Sequence, residues 1–287
     1  MKIIQSFAQF DEGIYYLQNE DKNKIYLNFY SFLLSYLTLN KHYGEVIMYC
    51  NKKANESFIK HIPYDKIVLL ENDNDFNFWS YYKINAIEKQ QGKFIHVDSD
   101  VFIFDRLFDD FVKGRKFDGI VQDKIPPNIN PLINEIPIVS NYLNKEGIMD
   151  GALNDGSAYS NGVVGMTIKV KNEFVEMAKR LKTDFENGKL KVTRTSMAML
   201  SEELAFYLVA RKNDLKIHEI LPYDDIIARG LKTVANEKKY THMWGDTKFI
   251  SQYLKLMRLK TIKEFPEAEE IILKYEKDVL EKHNIEI

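Results

Sequence analysis

One cysteine, Cys50, stands in 287 residues. That excludes an internal disulfide and a cysteine-based zinc site, and it fits a reducing compartment. An excess of one charge is missing too: 40 Lys and Arg face 42 Asp and Glu, for a formal net charge of -2. Without a global positive field a polyanion has to be gripped by a local site, and the chain carries no basic stripe of the nucleic-acid-binding kind. No nucleic-acid partner is expected. A long hydrophobic run is also lacking. The nearest approach, 25–40, is interrupted by Asn28, Ser31 and Ser35 and falls short of the roughly 20 apolar residues that a membrane span needs. It reads as a buried amphipathic helix, and no transmembrane segment is expected. The first residues, Met1 to Ser6, move straight into polar side chains without the apolar core and small-residue cleavage site of a secretory signal. The cytoplasm is therefore the expected address. Internal repeats and low-complexity linkers are absent from the pattern.

What remains is globular: 45% hydrophobic and 29% charged residues give no imbalance that prevents collapse. The length suits one large α/β domain over 1–264, with a C-terminal helix over 265–287 packed on it or extending it. Short apolar runs at 3–7, 45–50, 66–70 and 93–97 predict strands, and the patterns at 25–39, 56–61 and 77–91 predict helices between them. Strand-helix alternation of this kind calls for a parallel sheet with crossover helices. Gly92 is placed to cap the third helix. Further on, 123–134 is aperiodic and rich in Pro, Asn and Ile, which predicts a loop or lid. A strand is expected at 163–168 and helices at 171–187 and 201–212, the last capped by Ser201. Pro266 suits the first turn of a last, charged helix.

Two segments carry chemistry. Asp98-Ser99-Asp100 follows a buried strand, 93–97, and precedes a second apolar run, 101–104. In open α/β sheets ligands bind at the carboxyl ends of strands. Two carboxylates two residues apart can place one on a hard cation and the other on that cation's water or on a ribose hydroxyl, with a diphosphate completing the shell. A solvated turn between two strands has the same spelling. The second segment is His242-Met243-Trp244-Gly245-Asp246-Thr247-Lys248. A neutral imidazole can ligate Mn²⁺, a glycine admits a phosphate close to the backbone, and a lysine neutralises the same diphosphate. A helix entry with Trp244 in the core is the plainer reading.

Together these segments resemble the GT-A-fold nucleotide-sugar glycosyltransferases. The 94–104 element looks like their strand with Asp-x-Asp, and His242-x-x-Gly245-x-x-Lys248 is similar to the C-terminal motif of the glycogenin-like and lipopolysaccharide galactosyltransferase-like group. The resemblance implies a Rossmann-like mixed sheet flanked by helices. It implies Asp98, Asp100 and His242 on Mn²⁺ or Mg²⁺, and Gly245 and Lys248, together with Asp98, toward the diphosphate of the donor. Between these motifs, Tyr81-Tyr82-Lys83 stands where the group has Tyr-x-Arg, which makes Lys83 a donor contact. Ser160-Asn161-Gly162-Val163 resembles its Asn-x-Gly-Val element with one residue fewer, giving Asn161 to the donor sugar or acceptor; turn chemistry ahead of a strand explains the same residues. Glu202 and Glu203 stand where the group has a pair facing the reacting sugar, and acids favoured by a helix dipole are the alternative. The group's N-terminal nucleobase motif has no counterpart near 7–11.

The expected activity is transfer of a hexose from a nucleotide-diphosphate sugar, a UDP-sugar above others, to a glycan or other hydroxyl acceptor. The resemblance suggests retention at the anomeric carbon; inversion needs a carboxylate base, which Asp155, Glu202 or Glu203 can supply. The rival readings are a sugar-phosphate nucleotidyltransferase and a non-catalytic nucleotide-sugar or carbohydrate-binding protein on the same scaffold. His96, on the strand before the Asp pair, reads as a core histidine. Lys248, Lys255, Arg258, Lys260 and Lys263 form a basic run that reads as a solvated face, with peripheral attachment to an anionic membrane as the other reading.

Overall fold

A computed structural model describes residues 1–9, 24–71, 79–113, 116–149, 155–243 and 245–287. In chain order the first elements are β1 (Lys2–Phe7), α1 (Lys24–Tyr43), β2 (Val46–Cys50), α2 (Lys52–Ser57), β3 (Lys66–Leu69), α3 (Trp79–Glu88), β4 (Phe94–Val97) and β5 (Val101–Ile103). Then come α4 (Asp109–Lys113), β6 (Gly119–Ile125), α5 (Ile136–Lys145), β7 (Ala158–Met166), α6 (Ile168–Glu186), α7 (Arg194–Met199) and α8 (Ala205–Lys212). The last are β8 (Ile217–Glu219), α9 (Tyr223–Arg229), α10 (Leu231–Glu237), β9 (Tyr240–His242), α11 (Ser251–Glu264) and α12 (Ala268–Tyr275). The class is α/β. Among the described residues no helix is long and apolar enough to cross a membrane.

The chain forms two compact units, one of Met1–Lys2, Ser80–Val97 and Leu107–Lys238, the other of Ile3–Trp79, Asp98–Arg106 and Lys239–Ile287. In the second unit β1, β2 and β3 run parallel in the order β3-β2-β1, with Ile3 opposite Val46 and Ile47 opposite Lys66. All five residues of β2 are buried, as in a strand covered on both faces, which is why its sequence reads as a continuous apolar run. Helix α1 has Phe29, Tyr30, Leu33 and Leu34 in the core. Its Asn28, Ser31, Ser35 and Thr38 are buried as well, and their spacing of three, four and three residues makes one polar ridge along the helix. β5 and β9 form a separate antiparallel ribbon.

In the first unit the order is β4-β7-β6-β8, with β7 antiparallel to both β4 and β6, and β8 parallel to β6. The sheet of this unit is therefore mixed. β7 is buried along all nine residues. Its Gly165 is required by close approach, since a Cβ there would stand 2.7 Å from the carbonyl oxygen of Phe94.

Several boundaries differ from the sequence reading for identifiable reasons. The 123–134 segment is not wholly a loop: Asp123 to Ile125 continue β6 after a bulge, and a short 3-10 turn, Pro127–Ile129, follows. Ser160, Asn161 and Gly162 lie within β7, not in a turn ahead of it. Ser201 is not a cap. The helix begins at Arg194, capped by Thr193, whose hydroxyl accepts from Ser196 N–H; it widens into a π-helical turn over Leu200–Leu204 and continues as α8. Ser201 Oγ donates back to Ala198 O at 2.9 Å, so the hydroxyl that looked free to cap is spent on the preceding turn. The start of the expected 77–91 helix and Trp244 lie outside the described residues.

Candidate metal centre

The chain leaves β4 at Val97 and turns through Asp98, Ser99 and Asp100 into β5, the turn closed by Val101 N–H donating to Asp98 O at 3.1 Å. The polar ridge of α1 holds this turn. Ser31 Oγ donates to Ser99 O at 2.8 Å, Ser35 Oγ donates to Val101 O at 2.7 Å, and Thr38 Oγ1 accepts from Ile103 N–H at 3.3 Å. Ser35 in turn accepts from Gln5 Nε2 at 2.8 Å, and Gln5 Oε1 accepts from Tyr64 OH at 2.8 Å. Buried polar groups are costly unless paired, and once paired they fix geometry. This chain of bonds fixes where the two carboxylates start. Ser35→Ala leaves the Gln5 amide and the Val101 carbonyl without their shared partner, so a stability loss of about 1–3 kcal/mol is expected in denaturant titration. A variant as stable as wild type would mean that the ridge does not anchor the turn.

The remaining candidate ligand arrives from a distant part of the chain. β9 pairs antiparallel with β5, with His242 opposite Val101, and Met243 N–H donates to Asp100 O at 3.0 Å. His242 Nε2 then lies 3.4 Å from Asp100 Oδ1. Ligand atoms of Asp98, Asp100 and His242 all fall within 4.8 Å of one another. Adjacent ligands on an octahedral ion with bonds of about 2.1 Å sit about 3 Å apart, so small side-chain rotations bring this set onto one cation. Two carboxylates and an imidazole form a donor set suited to Mn²⁺ or Mg²⁺.

After His242 the chain passes into a 3-10 turn, Gly245–Phe249, which carries Lys248. Gly245 has φ of +59°, the left-handed region that favours glycine, and a Cβ there would meet nothing within 4 Å. The backbone conformation, not crowding by protein atoms, is what asks for glycine. Lys248 Nζ donates to Asp100 Oδ2 at 2.7 Å, with the two side chains only 14% and 12% exposed. Burial alone would raise the Asp100 carboxyl; Lys248 and then His242 outweigh it and hold the group well below the usual carboxylate range. Asp100 is thus kept ionised, as a metal ligand must be.

A family model described as a family of unknown function, DUF6734, matches residues 1–275. The chain belongs to that family. No curated protein matches it.

In this DUF6734 chain the other residues singled out by sequence gather in the first unit. Lys83 Nζ donates to Asn161 O at 2.6 Å and lies 3.3 Å from Glu202 Oε2, while Asn161 Nδ2 donates to Glu202 O at 2.8 Å. All three are at most 4% exposed. The π-helical turn sets Glu202 inward, and such turns occur frequently at functional sites. Here Lys83 balances the charge of Glu202, and the three residues are one another's partners. Glu203, in the same turn, is half-buried. Asp155 accepts from Tyr207 OH at 2.8 Å on each carboxylate oxygen. His96 is buried, and burial, then Lys83, pushes its imidazole well below its ordinary value, so it is a neutral core residue as the sequence indicated.

Residue types alone did not mark Gln5, Ser31, Ser35, Thr38 and Tyr64 as supports of the candidate metal centre. The signal that can find three of them is the helical spacing of Ser31, Ser35 and Thr38 within an otherwise apolar helix.

Proposed function

We propose that this DUF6734 member is a metal-dependent glycosyltransferase on a GT-A-like scaffold, taking a hexose from a nucleotide-diphosphate sugar, a UDP-sugar above others, to a hydroxyl acceptor. The observation that carries the reading is the convergence of Asp98, Asp100 and His242, from two segments far apart in sequence, with Lys248 set on Asp100. A carboxylate-rich site with one imidazole and one ammonium suits a diphosphate held through a divalent ion.

Asp98, Asp100 and His242 would hold Mn²⁺ or Mg²⁺, which supplies charge neutralisation to the departing diphosphate. Lys248 adds a second positive charge to the same leaving group, on a turn whose backbone is fixed by Gly245. The chemistry asked of these residues is electrostatic: they stabilise charge that develops as the glycosidic bond to phosphate breaks. The Ser31, Ser35 and Thr38 hydroxyls keep the carboxylate turn from rearranging as that charge appears.

A thermal-shift panel of UDP-, GDP-, CDP- and dTDP-sugars with and without Mn²⁺, on wild type, Asp100→Ala and His242→Ala, tests the site. Stabilisation by one nucleotide class only with metal, absent in both variants, is the expected result. No metal-dependent shift with any nucleotide would sink the reading. Metal- and Asp100-dependent hydrolysis of the stabilising donor then separates a transferase from a binding protein, which would bind and leave the donor intact.

A further inference from the structure

Helix α11 is apolar on two sides. Leu254, Met257 and Thr261 are buried and fasten it to the second unit. On the opposite side Leu256 and Leu259 are 52% and 60% exposed; Tyr253 in the first turn is 41% exposed, and Ile250, just before the helix, is 49% exposed. At 100° per residue Leu256 and Leu259 point away from the buried face, and Lys255, Lys260 and Lys263 stand one turn from one or the other leucine. The three lysines are exposed. Over its length the helix holds Lys255, Arg258, Lys260 and Lys263 against one acid, Glu264. Arg258 is taken by Glu276, and Lys260 is paired with Glu264 at 3.3 Å and lies over the Phe104 ring. Lys255 and Lys263 border the leucines with their charge turned outward.

We propose that this face of α11 docks the protein on an anionic lipid surface, with Leu256 and Leu259 entering the headgroup boundary and Lys255 and Lys263 meeting the lipid charge. Leucines bordered by lysines on a helix that is fastened to a protein along its other side make the geometry of an interfacial helix. Charge selects the occupant. A second copy related by a two-fold axis would set this basic face against itself, and like charges would oppose the pairing. A neutral apolar partner leaves the lysines without a counter-charge. The inference stands on the helix alone and is independent of the glycosyltransferase reading.

Co-sedimentation of the full chain with vesicles of phosphatidylcholine alone, and of phosphatidylcholine with phosphatidylglycerol, tests it. Wild type is expected to sediment with the anionic vesicles and not with the neutral ones, and to be released by high salt. Leu256→Glu/Leu259→Glu and, separately, Lys255→Glu/Lys263→Glu are each expected to lower the bound-to-free ratio at least about 10-fold. All four positions are on the surface, and circular dichroism of each variant checks that the fold is kept. Binding that is absent in wild type, equal on both vesicle types, or unchanged in both variants overturns the proposal. A wild-type dimer in sedimentation equilibrium that Leu256→Glu dissociates would give the face to a second copy and overturn it too.

Discussion

Lys248→Gln is expected to shift two affinities in opposite directions. Without a nucleotide, Lys248 is the cation on Asp100, at 2.7 Å, and a divalent ion entering the site meets its charge. A unit charge and a divalent ion about 4 Å apart at an effective dielectric of about 20 repel by about 8 kcal/mol, and solvation with side-chain motion reduces that to the order of 1.4 kcal/mol, a factor of about 10. Glutamine removes the repulsion. The variant should therefore bind Mn²⁺ alone about 10-fold more tightly than wild type. With a diphosphate present the sign reverses, because a charge-assisted bond from lysine to phosphate contributes about 1.5–3 kcal/mol that glutamine cannot match. UDP affinity in saturating Mn²⁺ should fall at least about 10-fold. Calorimetric titration of Mn²⁺ alone and of UDP with Mn²⁺, on wild type and variant, reads both. Two shifts in one direction, or none, would show that Lys248 is a static partner of Asp100 and not a group shared between the carboxylate and the donor.

Such coupling, if measured, would account for Lys248 standing on a carboxylate of the candidate metal centre. A lysine set on a ligand would lower affinity for the free ion and tie metal binding to the arrival of a polyanion. By linkage a metal and a diphosphate bound there would each strengthen the other's binding by the same factor.

The two segments of the candidate metal centre were legible because their residue types stand out: carboxylates, an imidazole, a glycine and a lysine at fixed spacing. Their supports were not. Ser31 and Ser35 stood out only as interruptions of an apolar run, and what they hold is main-chain carbonyl of Ser99 and Val101, which leaves no trace in residue type at the far end. β5 and β9 are three residues each, too short for an alternating pattern, so the pairing that sets His242 opposite Val101 could not be read in advance. The parallel strand β2 was legible, since a strand buried on both faces writes a continuous apolar run, and β1, buried at Ile3 to Gln5, reads the same way; β3 was legible from its Ile67-Val68-Leu69 run although none of its residues is buried. β7 was recognised only in its last part, because Ser160, Asn161 and Gly162 carry turn chemistry yet pair as strand. In that setting Asn161 spends its amide on the Glu202 carbonyl, and a local preference for turns yields to a tertiary bond.

Asp123 was hidden for a related reason, since it opens a stretch whose composition reads as loop, and it carries the second large expected effect. It lies on β6 opposite Ser160, just past the register shift that follows Val121. It is 9% exposed, and its Oδ1 has no hydrogen-bond partner among the described residues. Burial pushes its carboxyl up to about 7; hydrogen bonds from Ser160 and Gln122 oppose the rise, and the Glu219 carboxylate adds to it. Unfolded, the group titrates near 3.8. Between those two values the folded chain keeps a proton that the unfolded chain has lost. Stability from this group is therefore complete below about pH 4 and is lost as pH rises through about 7. The gap between 3.8 and about 7 corresponds to about 4 kcal/mol at most. Asp123→Asn keeps the shape and cannot ionise, so its unfolding free energy minus that of wild type is expected to rise by up to about 4 kcal/mol from pH 4 to pH 8. The depressed carboxylates, Asp100, Asp155 and Asp184 among them, are common to both proteins and cancel in the difference. Denaturant titrations across that range should show the two curves diverging with rising pH. Curves that stay parallel would mean that Asp123 ionises in the fold as easily as in water, through an opening of β6 at its bulge.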